Sequence, residues 1–386
     1  MHIPTRHRHS IHCILPPHLT RQIAVNGTKE QRERLLRTLS IDHTFRSMRV
    51  ARAGILQAGQ QLVPSPMVVE SQLQRTIYDM KNTEALPGTV VRTEGQGDTS
   101  DVAVNEAYAG LGDTYALYWE VFARNSIDGK GLPLHAHVHY GSDYNNAFWD
   151  GERMIFGDGD GDLFNRFTIA VDVIGHELTH GVTECDGPLT YFTQSGALNE
   201  SISDVFGSIV KQRTLNQKAD QADWLIGEGL FTKKVQGVAL RSMKAPGTAY
   251  DDPVLGKDPQ PARMRDYVRT VQDNGGVHIN SGIPNRAFYL VASELGGYSW
   301  ERAGHIWYET LRDPRLRANS TFLSFARLTV LSAARLYGSG GAEEKAVRDA
   351  WAQVDIRVSR ERAGEPMWGP GVQLPSKQPG QRPPAH

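Results

Sequence analysis

The sequence predicts an α+β protein of two lobes: a β-rich N-terminal half, a mainly helical C-terminal half, and a cleft between them. Three observations carry this reading. Between about residues 75 and 165, runs of β-branched residues are broken by Gly, Asn and Asp turns. After about 165, segments with helical apolar spacing follow one another. At the junction, VIGHELTHGV (residues 173 to 182) sets two histidines and a glutamate in an otherwise apolar stretch.

Residues 1–49 read as a small separate unit. In it CILPPHL is a turn or extended piece, because paired prolines fix φ and remove donors, and TKEQRERLLRTLSI is a charged amphipathic helix. Residues 50–72 connect it to the body. The N-terminal lobe spans 73–191, with strand signals in GTVVRTEGQGDTSDVAV, AHVHYGSDYNNAFW and RMIFGDGDGD, and helical spacing in VNEAYAGLGDTYALYWEVFA. The C-terminal lobe, 192–360, holds SGALNESISDVFGSIVKQ, GIPNRAFYLVASELG, SWERAGHIWYETLRD and STFLSFARLTVLSAARLYG, all helical, several with Ser at the expected N-cap. The tail 361–386 has six prolines in 26 residues and reads as flexible.

Composition narrows the function classes. With 42 Lys and Arg against 43 Asp and Glu, no overall field favours nucleic acid or a membrane surface as partner. Residues 1–50 alone are basic, with nine Lys and Arg against three Asp and Glu, and carry six of the fourteen histidines. Two cysteines, Cys13 and Cys185, cannot staple a chain of 386 residues. No apolar run approaches the roughly 18 residues of a membrane span, and the N-terminal apolar stretch is shorter than a signal-peptide core. The expectation is a monomer, exported by a route other than a classical signal, with a cytoplasmic location as the alternative.

On a helix His176 and His180, four residues apart, project from one face and can share an ion. Glu177 sits about 100° round from His176, too far to ligate but able to reach a water on that ion. Two neutral imidazoles with an open position suit Zn2+, which needs a third ligand. Glu200, twenty residues after His180, is a candidate third ligand, and Asp204, one turn further on the same face, can fix the tautomer of a ligand histidine.

HELTH followed by GALNESISD, with YNNAFW before and DNGGVHINSG after, resembles the thermolysin-like zinc metallopeptidases from about Arg75 to residue 358. The short N-terminal unit with PPH resembles the propeptide of the protealysin-like branch. The resemblance implies a precursor of a zinc endopeptidase that acts on proteins and peptides, with its own propeptide as a further partner. His176, His180 and Glu200 would hold one zinc, Glu177 would be the general base, and Asp204 would support the ligands. His278, oriented by Asp273, and Tyr191 would stabilise the oxyanion. Asn146 and Ala147 would hold the substrate backbone and Arg241 a substrate carbonyl. Phe164, Phe167, Val173, Ile226, Leu230 and Leu240 would line an apolar pocket, which implies cleavage before large hydrophobic residues.

The chain departs from the family at the double calcium site. Asp172, Asp223 and Glu228 remain acidic, but Lys211, Leu225 and Gly229 stand at the other positions. Calcium needs six to eight oxygens, so at most one Ca2+ is expected, with Lys211 able to replace an ion's charge. The GDGDGD run lacks the last glutamate of an EF-hand loop and reads as a glycine-rich turn. Cys13, beside LPPH, is a candidate latency ligand for the zinc, against the alternative of a small packed residue. The alternating histidines of HAHVHY suit one face of a strand better than a metal cluster.

Overall fold

The computed structural model describes residues 12–59 and 73–359. The expected tail, most of the 50–72 connection after residue 59, and the histidines before residue 12 lie outside the described residues.

The N-terminal segment opens with a two-residue strand, β1 (His12–Cys13), where the sequence suggested only a turn. Pro16 and Pro17 then start helix α1 (Pro17–Asn26), the fixed φ of proline being suited to a first helical turn. Helix α2 (Lys29–Gly59) continues ten residues past the boundary expected at 49. Strands β2 (Arg75–Asp79) and β3 (Thr89–Thr93) form a hairpin. Helix α3 (Val102–Ala116) follows, its N-cap Asp101 accepting from the Ala103 and Val104 amides. Then come β4 (Leu134–Val138), β5 (Ala147–Trp149) and β6 (Met154–Phe156).

These six strands make one sheet in the order β1-β5-β6-β4-β2-β3. Strands β2, β4 and β6 run parallel, and β1 and β5 extend the sheet antiparallel. Period-two alternation gives the sheet two working faces. Leu134, Ala136 and Val138 of β4 enter the main core with α3 and the next helix, α4 (Val171–Asp186). On the other face Cys13, Phe148 and Ile155 pack with Ile41 and Phe45 of α2 and with Met80, Tyr140 and Tyr144.

The helical lobe begins with α5 (Thr193–Thr214), which packs along α4. Two short strands, β7 (Leu225–Ile226) and β8 (Arg241–Ser242), pair beside it. Helices α6 (Asp273–Asn280), α7 (Gly282–Leu295), α8 (Arg302–Leu311), α9 (Phe322–Tyr337) and α10 (Ala342–Gln353) complete it. The expected serine caps do not form: α5 and α8 start after Phe192 and Glu301, and Thr321 rather than Ser320 caps α9. No described helix is long and apolar enough to cross a membrane.

Candidate metal centre and cleft

Helices α4 and α5 approach closely because each presents a glycine at the contact. A Cβ on Gly207 would lie 2.3 Å from the Asp172 carbonyl, and one on Gly175 would lie 3.1 Å from the Gly207 Cα. That proximity lets Glu200 of α5 reach both histidines of α4, and all three are buried.

His176 Nε2 and His180 Nε2 lie 3.0 Å apart, and the Glu200 carboxylate oxygens stand 3.5 and 3.4 Å from them. Ligands 2.0–2.1 Å from a tetrahedral zinc are separated by roughly 3.3 Å, so the three edges fit the ion. The donor chemistry fits as well. His176 Nδ1 donates to Asp204 Oδ1 at 2.8 Å and His180 Nδ1 to Asn199 Oδ1 at 2.8 Å, which leaves a lone pair on each Nε2. Among the described residues these three form the metal-ligating group. Asn199 was not legible from the sequence, since nothing local shows that the residue before Glu200 faces α4.

Asp204 is the hub beneath the site. Besides His176 it accepts from Arg241 Nε and Nη2 at 2.9 and 2.8 Å and from Asn285 at 2.8 Å. Burial alone would raise its pKa, but Arg241 and His176 outweigh that and hold it below the usual carboxylate range. Arg241 is buried, with Nη1 unpaired after its two bonds to Asp204.

Glu177, also on α4, accepts from the Trp149 amide of β5 at 3.2 Å, while its Oε1 is buried without a partner. Burial, then the nearby Glu200 charge, pushes its pKa well above the ordinary range.

Across the cleft, Asp273 to Gly276 all have positive φ, and the glycines adopt this backbone without strain. The fold-back brings Asp273 onto His278: its Oδ1 accepts from Nδ1 at 2.6 Å and its Oδ2 from the His278 amide at 2.9 Å. Burial opposes charge on His278, but Glu200 and Asp273 together raise its pKa to about 9. His278 Nε2 lies 3.5 Å from Glu200 and 3.2 Å from the Tyr191 hydroxyl, which itself donates to Glu200. Both groups thus converge on the same corner of the ion site.

The apolar set is also assembled. Val173 lies one turn before His176, Phe164 and Phe167 have ring centroids 6.0 Å apart, and the Leu240 amide donates to the Ile226 carbonyl at 3.0 Å; with Leu230, all are buried.

Asn146 and Ala147 lead into β5, and the N-terminal segment covers them. Cys13 pairs with Phe148, the Ile14 amide donates to the Ala147 carbonyl at 3.2 Å, and the Leu15 amide to Asn146 Oδ1 at 3.2 Å. The Cys13 side chain is buried in the second apolar cluster and close enough to Tyr191 to act on it electrostatically, while the ligand group found among the described residues is His176, His180 and Glu200. His18, the histidine of PPH, stands on α1 with its Nε2 2.9 Å from the Tyr250 hydroxyl of the helical lobe.

Around the expected calcium position the Lys211 ammonium lies 2.8 Å from Asp223, 3.2 Å from Glu228 and 3.6 Å from Asp172. The amine supplies there the positive charge an ion would bring. Asp172, fully buried, has its pKa raised to about 6 by burial against the pull of Lys211. The GDGDGD run is a turn in which Asp160 Oδ1 accepts from the amides of Asp162, Leu163 and Phe164.

Comparison with known proteins agrees with this geometry. The catalytic-domain model of the thermolysin metallopeptidases matches residues 66–184, and the model of their α-helical domain matches 187–356. The chain is 52% identical over 348 residues to an extracellular metalloprotease of Pectobacterium carotovorum, covering 90% of this chain and 97% of that one. It is 51% identical over 217 residues to an extracellular minor metalloprotease of Serratia marcescens, covering 55% of this chain and 62% of that one. The precursor of protealysin, a metalloproteinase from Serratia proteamaculans, superimposes with a TM-score of 0.80 at 53% identity, over 89% of this chain and 99% of that one. These relatives are named extracellular, which points to secretion and overturns the cytoplasmic alternative. The chain belongs to the thermolysin family of zinc metallopeptidases.

Proposed function

We propose that the chain is the precursor of an endopeptidase that cuts on the N-terminal side of large hydrophobic residues, acting as a monomer. The observation that carries the reading is the placing of Glu177, His278 and Tyr191 around one ligand triad, with strand β5, whose outer side is taken by the N-terminal segment, anchored to Glu177 through the Trp149 amide.

Zinc held by His176, His180 and Glu200 would supply acidity to a bound water and polarise the peptide carbonyl. Glu177, with Oε1 free and Oε2 fixed by the Trp149 amide, takes the proton from the attacking water and delivers it to the leaving amine. Its raised pKa suits that exchange. His278, kept protonated by Asp273, and Tyr191 donate to the carbonyl oxygen as negative charge develops; losing one such donor costs on the order of a hundredfold in rate. Arg241, anchored through two nitrogens on Asp204, offers its third to a substrate carbonyl.

An extended peptide would add to the edge of β5 through Asn146 and Ala147, its next side chain entering the pocket of Phe164, Phe167, Val173, Ile226, Leu230 and Leu240. Residues 12–15 use that same edge, which supports residues 1–49 as a propeptide that blocks the cleft until the 50–72 region is cut. The catalytic lobes would then be 73–191 and 192–360.

Incubation with casein, with and without a chelator, tests the activity. Sequencing of product N-termini tests the specificity: Leu, Ile, Phe or Val at the new termini is expected, and charged residues there would sink it.

A further inference from the structure

Strand β4 carries a feature that catalysis leaves unused. His135 and His137, two residues apart, share the sheet face opposite the main core, to which Leu134, Ala136 and Val138 point. The third histidine of the run departs from the pattern: His139 has φ 54° and is held between Asp101 and Asp158 at 2.8 Å from each. The remaining pair opens onto a cavity of about 340 Å³ bounded by Tyr78, Pro87, Leu132, Pro133, Glu152 and Arg153.

His137 is 1% exposed, and the Met154 backbone is the single polar group set against its ring, while the buried Nδ1 of His135 has no partner. Buried imidazole nitrogens are nearly always hydrogen-bonded, so the nitrogens left over on these two rings, both lining one cavity, are available to a ligand. Tyr78 stacks on His137 at 4.5 Å between centroids with planes 2° apart, which fixes the ring. The Met154 backbone faces the same ring, as the carbonyl behind a ligand histidine does. Burial, and next Arg153, lower the pKa of both histidines, that of His137 to about 3, so both rings are neutral and no proton competes for their lone pairs. Arg153 is itself engaged by Asp150 and Glu152 at 3.3 and 2.8 Å.

We propose that His135 and His137 bind a second transition-metal ion of the zinc, nickel or copper class, separate from the catalytic centre, with Glu152 as the third ligand. Two imidazoles at alternate positions of a strand with one carboxylate make a borderline-soft donor set that excludes calcium and magnesium. Glu152, 42% exposed on the turn between β5 and β6, lines the same cavity and its charge acts on His135; as third ligand its carboxylate would leave Arg153 for the metal.

The test is calorimetric titration of Zn2+ into full-length Glu177→Gln chain already loaded with one zinc, which prevents self-digestion. One additional zinc per chain is expected, and His137→Phe, which keeps an aromatic ring on Tyr78, should weaken it by about tenfold or more. His135→Ala, at a half-buried position, should do the same without disturbing the core and, in the chain with Glu177 intact, should leave peptide hydrolysis unchanged. Absence of a second equivalent, or one that binds equally in both variants, overturns the proposal.

Discussion

His176 and His180 aim two Nε2 lone pairs at each other across 3.0 Å, because Asp204 and Asn199 hold the protons on the far nitrogens. Without a cation that arrangement is repulsive, and the Glu200 carboxylate adds a buried charge beside it. Removing the metal should therefore lower the melting temperature, on the order of 5–10 °C for a chain of this size. Calorimetry after chelation, then after one equivalent of zinc, checks this. An unchanged melting temperature would mean that no ion is held there.

Glu177→Gln should retain one zinc per chain and the folded cleft, since the amide can keep the Trp149 contact. It cannot take up a proton, so turnover should fall by about a hundredfold to ten-thousandfold. Metal analysis and peptide hydrolysis on the same preparation separate the two effects, and near-normal turnover would remove Glu177 from the role of base.

The site was legible where its chemistry follows helix periodicity. His176 and His180 share a face at four-residue spacing, and Glu200 and Asp204 repeat that spacing on the next helix, so two local patterns met in space. What depended on how distant segments cross was not legible. Asn199 looks like any helix residue until α4 lies against α5. The strand of His12 and Cys13 exists only through pairing with β5, 131 residues from Leu15 to Asn146. Helix α10 escaped notice because its buried face, Ala346, Val347, Ala350 and Trp351, is small and set among charges. In α6 the left-handed backbone at Asn274, Gly275 and Gly276 precedes the last turn of helix.

Lys211 faces three carboxylates, of which Asp172 is buried. Lys211→Met would leave them without a cation. Removing one partner of a buried pair costs about 3–5 kcal/mol, and the exposure of Asp223 and Glu228 reduces this to about 2–3 kcal/mol here. Urea unfolding should show that loss, and added calcium should recover part of it in the variant while leaving the unsubstituted chain unaffected. A large calcium response in the unsubstituted chain would show that the ammonium does not stand in for an ion.

His18 ties the N-terminal segment to the opposite lobe and should make its docking sensitive to acid. Its ring bonds Tyr250 through Nε2, its Nδ1 is buried and unpaired, and Asp273, His278 and Arg241 face it. Burial lowers its pKa from 6.5 to about 3; Asp273 opposes the shift, and His278 and Arg241 add to it. A depressed value in the docked state means that docking is at full strength above pH 6.5 and weakens as pH falls toward 3. At pH 5.5 the released state should gain about tenfold relative to neutral pH. Hydrogen exchange of the α1 amides in the Glu177→Gln chain, corrected for intrinsic rates, measures the opening. His18→Asn should flatten the dependence, whereas an equal acid response in that variant would place the sensitivity elsewhere.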